Sequence, residues 1–163
     1  MRWVWVFLLW CHIWVPASPN TGSLDYRVYL ETNRIRKEKS LAPLRWDPCL
    51  ARVARGHSQD MASLDFFDHT SLRPGKETVE QRVRLENGPE GFFRENLFWC
   101  RGLPEEQIPG RALKEWLESP DHRQNLLAES VARCGVGVAR KGREFYLTQV
   151  LADSSPEGTG ALR

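Results

Sequence analysis

The sequence predicts an α+β domain built in layers. Segments with helical spacing or helix-start chemistry come first along the chain, and two alternating segments joined by a tight turn come last. No strand–helix–strand rhythm runs through the 163 residues, a length that suits one domain.

The chain begins with a segment that reads as a signal peptide over residues 1–17. Met1-Arg2 supplies a charge, Trp3 to Val15 is apolar apart from His12, and Val15-Pro16-Ala17 offers a cleavage site. An apolar run of about 13 residues is shorter than the roughly 20 a spanning helix needs, so no stable membrane span is expected. Cys11 follows Trp10, which is too bulky for a lipoprotein signal. Four of the chain's seven tryptophans (Trp3, Trp5, Trp10, Trp14) belong to this leader.

A domain is expected over residues 24–153. Leu24, Val28 and Ile35 recur at helical intervals and predict a first helix ending near Ser40. Leu41 to Leu44 reads as an extended linker. Asp47-Pro48 is a cap followed by proline at the first helical position. Leu50, Val53, Ala54, His57, Met61 and Leu64 then share one face of a second helix. Phe66 to Gly75 reads as a loop. Thr78 and Gln81 have capping-box spacing for a short third helix through Leu85. Gly88 to Gly91 is a break, Glu105 to Leu117 a fourth helix, and Ser119-Pro120 the start of a fifth by the same cap-plus-proline logic. Cys134 to Val138 alternates, and after Lys141-Gly142 a second alternation runs through Phe145, Leu147 and Gln149, which predicts a hairpin. Residues 154–163 have the composition of a disordered tail.

The formal charge is +2, with basic and acidic residues interspersed and no basic stripe, which argues against a nucleic-acid partner. Cys49, Cys100 and Cys134 lie beyond the leader. None is spaced as a CxxC pair, so a zinc–thiolate site has no support. No Gly-x-Ser-x-Gly elbow occurs, Ser58 and Ser119 read as a helix residue and a cap, and nothing near Cys100 activates a thiol.

Asn33-Arg34 with Leu41-Ala-Pro-Leu-Arg-Trp-Asp47, His57-Ser-Gln-Asp-Met61, Phe66-Phe-Asp-His-Thr70, Glu95-Asn96 and Ser119-Pro-Asp-His-Arg-Gln-Asn-Leu-Leu127 occur in that order, closed by Gly135-Val-Gly-Val138 and Tyr146 to Val150. Together they resemble the bacterial SCP-like branch of the CAP superfamily (cysteine-rich secretory, antigen 5 and pathogenesis-related proteins). The resemblance covers residues 24–152. It implies a three-layer α-β-α sandwich with an antiparallel sheet, a surface cleft, and a secreted or cell-envelope location.

In that cleft the resemblance places His69, Glu95 and His122 as candidate ligands of a divalent metal, zinc foremost. Glu118 is the candidate fourth ligand, and Glu115 also flanks Trp116. Imidazole and carboxylate suit zinc, with a position left open for water. Arg94 stands where the family has glycine, and pairing with Glu95 would block an ion. His57, on the apolar face of its helix, reads as a core histidine. Asp68 could orient His69 or cap a turn. Trp46, Trp116 and Phe66 read as core. Should a disulfide form, Cys100 and Cys134 are the expected pair, leaving Cys49 buried in the second helix. The function implied is a secreted binding or interaction domain for a small-molecule or lipid ligand; the alternative is a divalent-metal-dependent hydrolase of the cell envelope.

Overall fold

A computed structural model of the chain describes residues 22–153, so the leader and tail expected at either end lie outside the described residues. The elements are α1 (Leu24–Glu38), β1 (Arg45–Trp46), α2 (Pro48–Leu64), α3 (Val79–Leu85), β2 (Phe93–Arg101), a 3-10 turn (Glu105–Gln107), α4 (Ile108–Glu118), α5 (Pro120–Leu127), β3 (Val131–Lys141) and β4 (Glu144–Asp153). The sheet order is β1-β3-β4-β2.

Helices flank the sheet on both faces. On one face α2 and α3 bury Leu50, Val53, Ala54 and Val83 against Phe93, Val150 and Ala152. On the other, α1, α4 and α5 bury Val28, Leu113, Trp116 and Leu126 against Val136, Leu147 and Leu151. The expected α+β sandwich is therefore present, with one difference: β1 pairs with β3 in parallel, while β3–β4 and β4–β2 are antiparallel.

Local chemistry explains most element starts. Asp47 caps α2, its Oδ1 accepting from Cys49 N at 2.8 Å and Leu50 N at 3.1 Å, with Pro48 just inside. Thr78 and Gln81 form both halves of a capping box on α3. Ser119 stands at the N-cap of α5, but its side chain makes no capping bond, so the fixed backbone of Pro120 is what sets that start. The β3–β4 connection is Gly142-Arg143, with Gly142 at φ 61°.

The strand β2 has no counterpart in the sequence reading. Its residues FRENLFWCR alternate, but the inward positions include Glu95 and Asn96, and buried polar residues erase the apolar signal. The cysteine pairing is also corrected. Among the described residues all three cysteines, Cys49, Cys100 and Cys134, are free. Cys100 sits opposite Phe145 and Cys134 opposite Leu151, a separation along β4 of roughly 20 Å, against a limit of about 7 Å between bridged Cα atoms. Cys49 is half-buried rather than buried, and full burial pushes the Cys134 thiol up to about 12.

The spacing of α2 over the sheet is set by two glycines. A Cβ on Gly135 would lie 2.1 Å from Ala51 N, and one on Gly137 would lie 1.9 Å from Arg55 N, so the helix backbone rests directly on β3. Ser58 fastens the contact, its hydroxyl bonding Gly137 O at 3.0 Å and Thr148 Oγ1 at 2.9 Å. Because no neighbour there is a flexible side chain, Gly137→Ala should lower the unfolding free energy by at least about 1–3 kcal/mol. Leu50→Ala, at a fully buried position, should lower it by about 2–5 kcal/mol. Urea unfolding checks both, and a loss under about 0.5 kcal/mol, the size of an ordinary surface change, would contradict the packing described.

Candidate functional site

Strand β2 lies at a sheet edge, and its alternation sends neighbouring side chains to opposite layers. Glu95 turns toward α2 and α3; Asn96 turns toward α5. The loop after α2 brings His69 to Glu95, and the first turn of α5 brings His122 beside His69, with ring centres 6.2 Å apart. The three residues that the sequence singled out thus converge on one edge of the sheet.

Glu95 is the hub. Its side chain is only 5% exposed, yet both carboxylate oxygens are satisfied. Oε1 accepts from His69 Nδ1 at 3.0 Å, and Oε2 accepts from Arg82 Nη2 at 2.6 Å. A carboxylate can only accept, so His69 carries a proton on Nδ1. His57 Nε2 lies 4.0 Å from Oε1 and donates to Asp68 O at 3.0 Å. His57 is fully buried, edge-on to Phe66, a core histidine as its helix face suggested.

The neighbouring amides hold the frame. Asn96 Nδ2 donates to Gln149 Oε1 at 3.0 Å, and Gln149 Nε2 donates to Thr32 Oγ1 at 2.9 Å. Asn125 Nδ2 donates to Asn96 Oδ1 at 3.0 Å and to Glu95 O at 3.2 Å, tying α5 and its His122 to β2.

Several expectations need correction. Arg94 does not pair with Glu95, because adjacent strand residues face opposite ways. Its guanidinium approaches Asp153 at 3.5 Å and stacks over Phe92. Glu118 is exposed at the end of α4, 3.9 Å from Lys114, and faces the groove between α1 and α4; Glu115 pairs with Arg111 at 2.6 Å. Each pairs with a basic residue one turn back on its own helix. Of the two readings of Asp68, the turn cap is the one present. Its carboxylate caps a turn by accepting from Thr70 N at 2.7 Å, and Glu95 holds His69 instead. Trp116 is core as expected, its indole donating to Leu97 O at 2.7 Å.

Arg82 is the functional residue that the sequence reading missed. It comes from α3, is 3% exposed, and spends its second terminal nitrogen on His69 O, Lys76 O and Glu77 O at 3.2, 3.1 and 3.4 Å. A signal was present: Arg82 lies three residues after Val79 and one before Val83, on the apolar face of its helix.

A zinc ion held by these residues would need carboxylate and imidazole donors with free lone pairs. Both Glu95 oxygens are engaged, one by a cation. Among the described residues, no group of three or more His, Cys, Asp or Glu side chains is placed to hold an ion. Glu95 in this arrangement is not free to ligate the metal that the resemblance implied.

The three histidines among the described residues, His57, His69 and His122, are driven apart in basicity. The bond to Glu95 raises His69 above the ordinary 6.5 despite partial burial. Burial lowers His57, and burial together with the nearby His69 lowers His122. A group whose folded pKa is raised adds stability below its unfolded value, and that contribution fades as pH climbs through the raised folded value. The His69–Glu95 bond should therefore support the fold most fully below about pH 6.5. NMR titration should find His69 the most basic of the three, and Glu95→Gln should lower its midpoint. An unshifted midpoint would show that Glu95 does not hold the ring.

Comparison with known proteins places these features in a wider group. A model of the cysteine-rich secretory protein family (CAP) matches residues 29–151. An uncharacterized membrane protein of Bacillus subtilis, YlbC, is 39% identical over 121 residues, covering 72% of this chain and 31% of its own length. A second uncharacterized B. subtilis protein, YkwD, is 30% identical over 127 residues, covering 77% and 46%. The chain thus spans less than half the length of these relatives. An extracellular SCP-domain protein of Bacillus anthracis superposes with a TM-score of 0.69 at 30% identity, covering 86% of this chain and 45% of that one. The structure of NaASP2 with Zn2+ superposes at 0.59 with 14% identity, covering 83% of each, which is likeness of fold alone.

Proposed function

Since the chain belongs to the cysteine-rich secretory protein (CAP) family, we propose that it is a secreted or envelope-exposed recognition domain that takes an amphiphilic small molecule or lipid at the His69–His122 edge. The observation that carries this reading is the exposed chemistry of the site. Glu95 is sealed inside, so what meets solvent is a pair of adjacent imidazoles, with His69 about half exposed. The loop that carries His69 also exposes two large apolar side chains, Phe67 and Leu72. Imidazoles both donate and accept, and they suit an acidic or hydroxylated head group, while the apolar side chains suit a tail.

The extracellular likeness of the B. anthracis SCP protein supports an exported location. No helix among the described residues is long and apolar enough to cross a membrane. A metal-dependent hydrolase draws no support from the site, because a carboxylate neutralised by Arg82 is neither a free ligand nor a free general base.

Binding of a fluorescent dodecanoate probe tests the reading. The wild-type protein should bind it, and His69→Ala/His122→Ala should weaken binding by about tenfold, the equivalent of one charge-assisted hydrogen bond lost. Phe67→Ser should weaken it by a smaller factor. Equal binding by all three proteins, or none by the wild type, would sink the proposal.

A further inference from the structure

Arg82 does more than neutralise a buried acid. Its guanidinium reaches the place where a cation bound by Glu95 would sit, donating to Oε2 at 2.6 Å from within the protein. It is anchored there by three backbone carbonyls, His69 O, Lys76 O and Glu77 O, all in the segment that carries His69. Glu95 Oε1 is turned to His69 Nδ1, so both nitrogens bonded to this carboxylate offer it a donor or a positive charge. An incoming divalent ion would meet a fixed positive charge in a site sealed from water, where like charges repel strongly. Displacing Arg82 would leave a guanidinium buried without its carboxylate.

We propose that Arg82 is the resident cation of this site: it takes the charge-balancing place of a metal ion at Glu95 and makes Glu95 a positioning residue for His69 rather than a metal ligand. The loop, α3 and β2 are then joined by a covalently supplied charge that cannot be chelated away, and the arrangement is independent of metal supply. The inference stands apart from the amphiphile reading, since a zinc titration reports on Arg82 whether or not the site takes such a ligand.

Zinc calorimetry on the purified protein and its variants decides the matter. Arg82→Met frees Glu95 and should raise zinc affinity by about tenfold or more over wild type. Arg82→Lys, which keeps a cation, should show no gain, and Arg82→Met/Glu95→Gln should lose the gain. An Arg82→Met protein that is folded by circular dichroism but binds zinc no better than wild type would overturn the proposal. Should that variant not fold, the wild type answers the question by NMR. The slowly exchanging guanidinium protons of Arg82 should persist at excess zinc. Their loss in proportion to one equivalent of bound zinc would show the metal displacing Arg82, and would equally overturn it.

Discussion

Arg82 and Glu95 are both nearly inaccessible to water and meet at 2.6 Å. Neither residue could be buried alone, since removing one member of such a pair leaves an uncompensated charge worth about 3–5 kcal/mol of destabilisation. Each therefore dictates where the other's segment must run. Arg82 must come from a helix packed on the α2 face of the sheet, and Glu95 must sit at an inward position of the edge strand. The loop between α2 and α3 must fold back so that its carbonyls meet the rest of the guanidinium. His69 inherits its position from all three conditions, being held by its own carbonyl on Arg82 and by its ring on Glu95.

The opposite face of the same strand carries a second constraint of a different kind. Asn96, Gln149 and Thr32 are completely buried neutral groups linked donor to acceptor. Thr32 closes the series by donating to Val28 O at 2.9 Å within α1. With Asn125 feeding in from α5, this amide chain connects the helix bearing His122 to the far side of the core. Such a network specifies one arrangement, because a slipped register would leave several of its atoms unpaired at about 1–3 kcal/mol each. Charge fixes His69 and amide hydrogen bonds fix His122; the two rings meet where these systems share β2.

Much of the frame was legible in the sequence. Asp47-Pro48 and the Thr78/Gln81 box act through neighbours two or three residues away, so their chemistry can be read locally, and the α2 face repeats at helical spacing over many turns. The hairpin showed itself by alternation on both sides of Lys141-Gly142. What escaped notice depends on partners distant in sequence. β2 hides because its inward residues are polar, and they are tolerable inside only because Arg82, His69, Gln149 and Asn125 arrive from elsewhere. The roles of Arg94, Glu115 and Glu118 turned on which way a side chain faces, and spacing to a motif does not settle that. His69, Glu95 and His122 were placed together by family likeness, whereas the guanidinium that governs their chemistry lay outside the motifs.

The two glycines beneath α2 bear on how the chain reaches this structure. Ser58 and Gly137, which touch through a hydrogen bond, stand 79 residues apart in sequence, and the backbone contacts at Gly135 and Gly137 span a similar distance. At Gly135 and Gly137 helix backbone meets strand backbone with no side chain between them to bridge a partial approach, so this contact forms only once β3 has acquired its shape. The entropy of closing so long a loop is then spent before the contact returns any stabilisation. The α2 helix can form early on its own local signals, but its seating belongs to a late, cooperative step that waits for the C-terminal hairpin. During synthesis from the N-terminus, the chain up to α5 would carry α2 with its apolar face uncovered until the last strands emerge.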